Sequence, residues 1–142
     1  MATQTGITLE IDKRELERLI RETPGHLSDL VEAAAAEVQG DIVLSFGTGP
    51  AGRSYKSESG SVTHVASSPG FPPNVDTGAL RASIRTNSLG PLSAEIVAGT
   101  EYAVELEYGR ARVAARPFFT PVAAEWQQGR MAAFAREFGI LP

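Results

Sequence analysis

The chain has 142 residues, the length of one ordinary domain, and carries 13 Lys and Arg against 17 Asp and Glu, a formal net charge of −4. That sign argues against a dedicated DNA or RNA grip, whose footprint is basic, and against docking on an anionic membrane surface. There is no cysteine, so disulfides and thiolate chemistry are excluded.

Hydrophobic residues make up 42% and charged residues 21%, which places the sequence among globular chains rather than disordered ones. No apolar run approaches the ~18 residues of a membrane-spanning helix. The stretch MATQTGITLE lacks the basic region and apolar run of a signal peptide. The expected setting is the cytosol, or a larger particle assembled there.

In chain order, Gly6 to Ile11 alternates apolar and polar residues and predicts a short strand. Asp12, three residues before Glu15, predicts the cap of a first helix carrying Leu16, Leu19 and Ile20. Thr23-Pro24 predicts a second helix start, with proline at the first helical position. Leu27, Leu30, Val31, Ala34, Val38, Ile42 and Phe46 then fall at helical spacing, and Gly47 ends the run. Residues 47–75 form an excursion rich in Gly, Ser and Pro, a length that in a compact domain goes with function or mobility. Within it Arg53–Ser57 and Val62–Ala66 flank Glu58-Ser59-Gly60-Ser61, the pattern of a hairpin with a polar tip.

Asp76-Thr77-Gly78 is expected to cap a short helix running through Leu80 to about Ser83. Ile84–Leu89 and Ala94–Gly99 predict two strands joined at Gly90-Pro91, and YAVELEYG, residues 102–109, is a further element of open type. Thr120-Pro121 predicts the start of a last helix ending at Gly139. It carries Val122, Trp126, Ala133, Phe134 and Phe138, an apolar face that drifts around the axis. The order predicts an α+β fold over residues 1–142 as a single domain. A long N-terminal helix and a C-terminal helix would pack on an antiparallel sheet, with a protruding hairpin or loop.

A catalytic reading finds little support. His26 reads as a solvated residue of a helix's first turn, and His64 as a structural or exposed strand residue. Two histidines without cysteine match no standard zinc spacing. No serine sits in a G-x-S-x-G elbow. Gly47 to Gly52 lacks the Lys-Ser/Thr pair of a phosphate loop and follows a helix instead of a strand. Glu101, Glu105 and Glu107 lie close to Arg110, Arg112 and Arg116, and ordinary ion pairing is the simplest account. Acid and base on opposite sides of a subunit would also suit head-to-tail self-association. Tyr102, Tyr108, Phe118 and Phe119 are either core or interface aromatics.

Three stretches carry a resemblance: SSPGFPPNVDTGAL, then EYAVELEYG, then ARPFFTPV. In this order they resemble the phage neck or head–tail joining proteins, the gene-product-ten-like morphogenesis family of HK-type siphophages. The matching residues are Pro69, Gly70, Pro72, Pro73, Asp76, Thr77, Gly78 and Leu80 in the first stretch. Tyr102, Ala103, Glu107, Tyr108 and Gly109 match in the second, and Arg116, Pro117, Phe118 and Pro121 in the third. Arg110 stands where members often carry Thr or Ser.

The resemblance implies a non-enzymatic virion protein at the head–tail junction, present in the host cytoplasm during assembly. Its partners would be itself, in a hexameric or dodecameric ring, and the adjacent head-closure and tail-terminator or tail-tube proteins. DNA would pass through the lumen only as cargo, and no catalytic residue, cofactor, metal or membrane is implied. Rival readings are a tail-terminator subunit, a small metal-dependent hydrolase using the Glu101–Glu107 cluster, and a nucleic-acid-binding module, which the acidic balance disfavours. Proline fixes φ, so residues 69–73 are expected to form a stiff arm leading back from the hairpin. Arg116 is expected either to reach a neighbour's carboxylate with bidentate geometry or to pair with Glu107 in its own subunit, while Tyr102 and Phe118 supply apolar burial at the contact.

Overall fold

The structure, a computed structural model, describes residues 6–8, 18, 21, 22 and 24–142. Arg18, Arg21 and Glu22 are helical; Asp12, Glu15, Leu16, Leu19, Ile20 and Thr23, which the first predicted helix and its neighbour's cap invoke, lie outside the described residues.

Helix α1 spans Pro24–Ser45 and follows its apolar spacing closely. Leu27, Leu30, Val31, Ala34, Val38 and Ile42 are all at most 5% exposed, and Phe46 is partly buried just beyond the helix end. Alanine at 34 and 35 keeps the buried face flat enough for a sheet to lie against it. The helix stops where Gly47 turns to φ 77 and donates its amide to the Pro73 carbonyl at 3.0 Å.

The sheet against α1 has the order β1(Gly6–Thr8), β5(Ser93–Ala98), β4(Ile84–Gly90), all antiparallel. Ile96 stands opposite both Ile7 and Thr86, and Ile84 opposite Ala98. Ile84, Ala94, Ile96 and Ala98 form one buried face against the α1 stripe. Alternation of period two therefore selects the core face. Gln39 fastens helix to sheet: its amide nitrogen donates to the Ile84 carbonyl at 3.1 Å and its oxygen accepts from the Thr86 hydroxyl at 2.7 Å.

Strands β2(Ala51–Lys56) and β3(Val62–Ser67) form a separate two-stranded hairpin closed by a Ser57–Ser61 turn. Every residue of β2 is exposed, whereas Ala66 and Ser67 at the root of β3 are buried. Gly52 lies so close to β3 that a Cβ there would sit 2.5 Å from the Ser67 carbonyl oxygen.

Helix α2 is short, Ala79–Ser83, and α3, Ala103–Tyr108, settles the open element of the YAVELEYG stretch as a helix. The C-terminal helix is not continuous. It runs as α4(Thr120–Glu125), a stretch over Trp126–Arg130 that kinks at Gly129, whose φ of 143 is not helical, and α5(Met131–Glu137). The glycine kink rotates α5 relative to α4, which accounts for the drift of the apolar face. Val122, Trp126 and Ala135 are buried, while Ala133 and Phe138, expected on the same face, are exposed. Gly139 at φ 81 ends the helix, as its position predicts.

Phe118, Phe119, Val122 and Trp126 complete the core formed by α1 and the sheet, and the molecule is an α+β fold. The indole of Trp126 donates to Asp41 at 2.8 Å, and Arg130 reaches the same carboxylate at 3.1 Å while covering the indole face. This ties the last helix to α1 across 85 residues of sequence. No helix among the described residues is long and apolar enough to cross a membrane.

Candidate functional site

The hairpin root, the proline segment, α2, α3 and the loop after α3 surround one open cleft of about 340 Å³. Its floor is apolar, with Phe46, Ala66, Leu80 and Leu106. Four of its wall residues are large and substantially exposed: Tyr55, Val75, Tyr102 and Val113, each between 37% and 46%. The polar wall carries His64, Arg81 and Arg116 against a single carboxylate, Asp76, whose Oδ1 lies 3.6 Å from His64 Nδ1. Arg53 extends this basic rim by stacking its guanidinium 5.4 Å from the Tyr55 ring, and Tyr55 in turn stacks on His64.

The three stretches that carry the resemblance meet here, and their residues divide into two sets. Pro73, Asp76, Thr77, Gly78, Leu80, Tyr102 and Arg116 line the cleft. Glu107, Pro117 and Phe118 instead form a lock behind it. Glu107 is 3% exposed and accepts the amides of Phe118 at 2.8 Å, Phe119 at 3.0 Å and Thr120 at 2.8 Å, together with the Thr120 hydroxyl. A carboxylate at the start of α4 satisfies amides that the helix cannot pair internally and opposes the positive end of its dipole. Both oxygens are occupied by these donors. Ala103 is buried at the start of α3. Gly109, at φ 76, lets the chain fold back so closely that a Cβ would lie 3.0 Å from the Ala115 nitrogen.

The proline segment is a strap rather than a free arm. Gly70 donates to the Ala115 carbonyl at 2.8 Å, Pro73 accepts from Gly47, and Asn74 donates to the Val65 carbonyl at 2.9 Å. Pro69 is exposed, Pro72 half-buried and Pro73 buried, so the strap enters the body progressively. Its stiffness sets the root of the hairpin against the loop after α3.

Several sequence expectations are corrected by the geometry. Asp76 faces His64, and the cap of α2 expected from Asp76-Thr77-Gly78 is made by Gly78, in the left-handed N-cap position, and by the Thr77 hydroxyl, which accepts the Ala79 amide at 3.3 Å. Arg116 reaches no carboxylate among the described residues. Its Nε donates to the Ser67 carbonyl at 3.2 Å and Nη1 to the Ala114 carbonyl at 3.2 Å, so it props the hairpin root. Phe118 is 1% exposed within the subunit and cannot contribute burial at a contact, whereas Tyr102, at 45%, can. The acidic and basic clusters are not two facing patches. Glu105 pairs with Arg110 inside the subunit, Glu107 is the lock, and Glu101 and Arg112 stay on the surface.

His26 is exposed, as expected, while His64 is part of the cleft wall, a role its alternation with Val62 and Ala66 did not reveal. Among the described residues no group of three His, Asp or Glu side chains is placed to hold a metal ion. Tyr55, Arg81 and Val113 are cleft residues that the sequence reading did not single out. Tyr55 stands out only as an aromatic and Arg81 only as an arginine near Gly78, and nothing local marks Val113. No protein-family model matches the chain, and no curated protein or solved structure matches it.

Proposed function

We propose that the protein is a non-enzymatic structural component of a phage virion, a head–tail connector of the neck or tail-completion type that assembles into a ring. One observation carries this reading. Seven residues of the three family-like stretches, separated by up to 43 positions from Pro73 to Arg116, line a single cleft with exposed tyrosine, valine and arginine around an apolar floor. Exposed aromatics and arginines around a desolvated centre are the composition of protein–protein hot spots. Glu107 and Phe118, from the second and third stretches, stiffen that surface from behind, and a preordered surface gives up less entropy when a partner binds. The acidic balance of the chain suits a conduit, because carboxylates along a lumen repel DNA phosphates and let the duplex slide.

Electron microscopy of the purified protein, with sedimentation to fix its mass, tests the reading. A closed ring of six or twelve subunits, and antibody label at the head–tail junction of intact particles, are the expected results. A protein that stays monomeric at all concentrations and is missing from particles overturns it.

A further inference from the structure

Arg53 and Arg81 beside the cleft, and Asp29 and Glu32 on the outer face of α1, are in no ion pair among the described residues, and their charges are opposite. On the cleft side Arg53 and Arg81 are exposed and in no ion pair among the described residues. On α1 the exposed residues Asp29, Glu32 and Ala36 follow one another at helical spacing, and neither carboxylate is paired among the described residues. Leu44, 74% exposed, lies near the end of the same helix.

Among the described residues these charges do not pair within one subunit. Phe46, at the C-terminal end of α1, is part of the cleft floor, whereas Asp29 and Glu32 lie 14–17 residues earlier, about 20–25 Å along the helix. One helix therefore carries an acidic face at its start and ends in a basic, aromatic cleft, which is the polarity of a head-to-tail contact.

We propose that the cleft of one subunit receives the acidic outer face of α1 from the next copy of the same chain, with Arg53 and Arg81 meeting Asp29 and Glu32 while Tyr55 and Tyr102 close over the small Ala36. The proposal rests on the ring reading above and specifies its contact. Pairing through the free edge of β2 is the alternative this contact replaces. That strand carries Arg53 and Lys56 and breaks register twice against β3, features that discourage edge-to-edge addition.

The test is a charge swap in the full chain. Arg53→Glu with Arg81→Glu makes one variant, and Asp29→Arg with Glu32→Arg the other; all four positions are exposed. Each variant alone is expected to self-associate about ten-fold more weakly than wild type at low salt, with the difference shrinking in high salt. An equimolar mixture is expected to reassemble, because each variant supplies the complement of the other. Wild-type oligomers that both variants reproduce unchanged overturn the proposed contact while leaving the ring intact. A monomeric wild type removes the ring reading itself, and the contact with it.

If either variant loses its folded circular dichroism spectrum, crosslinking decides. The chain has no cysteine, so Glu32→Cys with Arg81→Cys places the only two thiols at the proposed contact. Oxidation of the assembled protein is expected to give a ladder of covalent multimers. Absence of a ladder from an assembled sample, or dimers from Glu32→Cys alone, overturns the head-to-tail arrangement.

Discussion

Glu107 accepts the Phe118 amide at 2.8 Å across eleven residues, and the same carboxylate also holds Phe119 and Thr120. Two stretches that look like separate motifs are thus one structural device. Replacing Glu107 by Ala leaves three amides at the start of α4 without an acceptor. Stability measured by urea unfolding is expected to fall by about 3–5 kcal/mol. Glu107→Gln keeps one acceptor oxygen and is expected to cost about 1–2 kcal/mol. Equal stability of all three proteins would remove the lock from the account of this fold.

Asp41 is the second long-range tie. Asp41→Ala strands the Trp126 indole N–H and releases Arg130, at an expected cost of about 1–3 kcal/mol. Trp126 is the only tryptophan, so its emission reports the site directly. The variant is expected to show a red-shifted maximum as water reaches the indole. An unshifted spectrum would mean that core packing alone holds the ring in place.

Arg116 and Arg112 separate support from surface charge. Arg116→Ala removes the hydrogen bond to Ser67 at the hairpin root and a local one to Ala114, and is expected to cost about 1–2 kcal/mol. Arg112 is exposed, and Arg112→Ala is expected to leave folding unchanged. Circular dichroism melts of the pair check this, with assembly assayed alongside. A loss of assembly at Arg112 with normal assembly at Arg116 would reverse the assignment.

Val38 is fully buried in the middle of the α1 stripe. Val38→Asp sets a carboxylate among Ile96, Phe118 and their neighbours and is expected to cost roughly 3–5 kcal/mol, a large share of a domain's whole stability. A soluble variant that still unfolds cooperatively near the wild-type midpoint would show that the stripe is not the core face.

The hairpin stands outside the main sheet with all of β2 exposed. Trypsin is expected to cut after Arg53 or Lys56 in the free subunit and to be excluded from β2 once subunits meet through the proposed contact. Mass spectrometry of the first fragments distinguishes the two states. Equal cleavage in both would place β2 away from the contact.

The sequence by itself determined most of the elements, though not that Ala103–Tyr108 is helical or that the last helix kinks at Gly129. Apolar spacing fixed α1, since a stripe repeating every three to four residues has one way to be buried. Gly-Pro and Thr-Pro pairs placed the β4–β5 turn and the start of α4, because glycine and proline restrict the backbone locally. Charge and cysteine content narrowed the chemistry without any coordinates. What the tertiary structure alone decided is which residues meet. Asp41 and Trp126 lie 85 positions apart, and Arg116 and Ser67 lie 49 apart, and nothing local to either partner announces the pairing. Glu107 and Glu105 look equivalent in the sequence, yet one is buried under four donors and the other is in a surface ion pair. The rotation of α3 against the chain entering α4 decides that difference. Charge in a sequence gives the sign of an interaction, and only distance and burial give its partner and its strength.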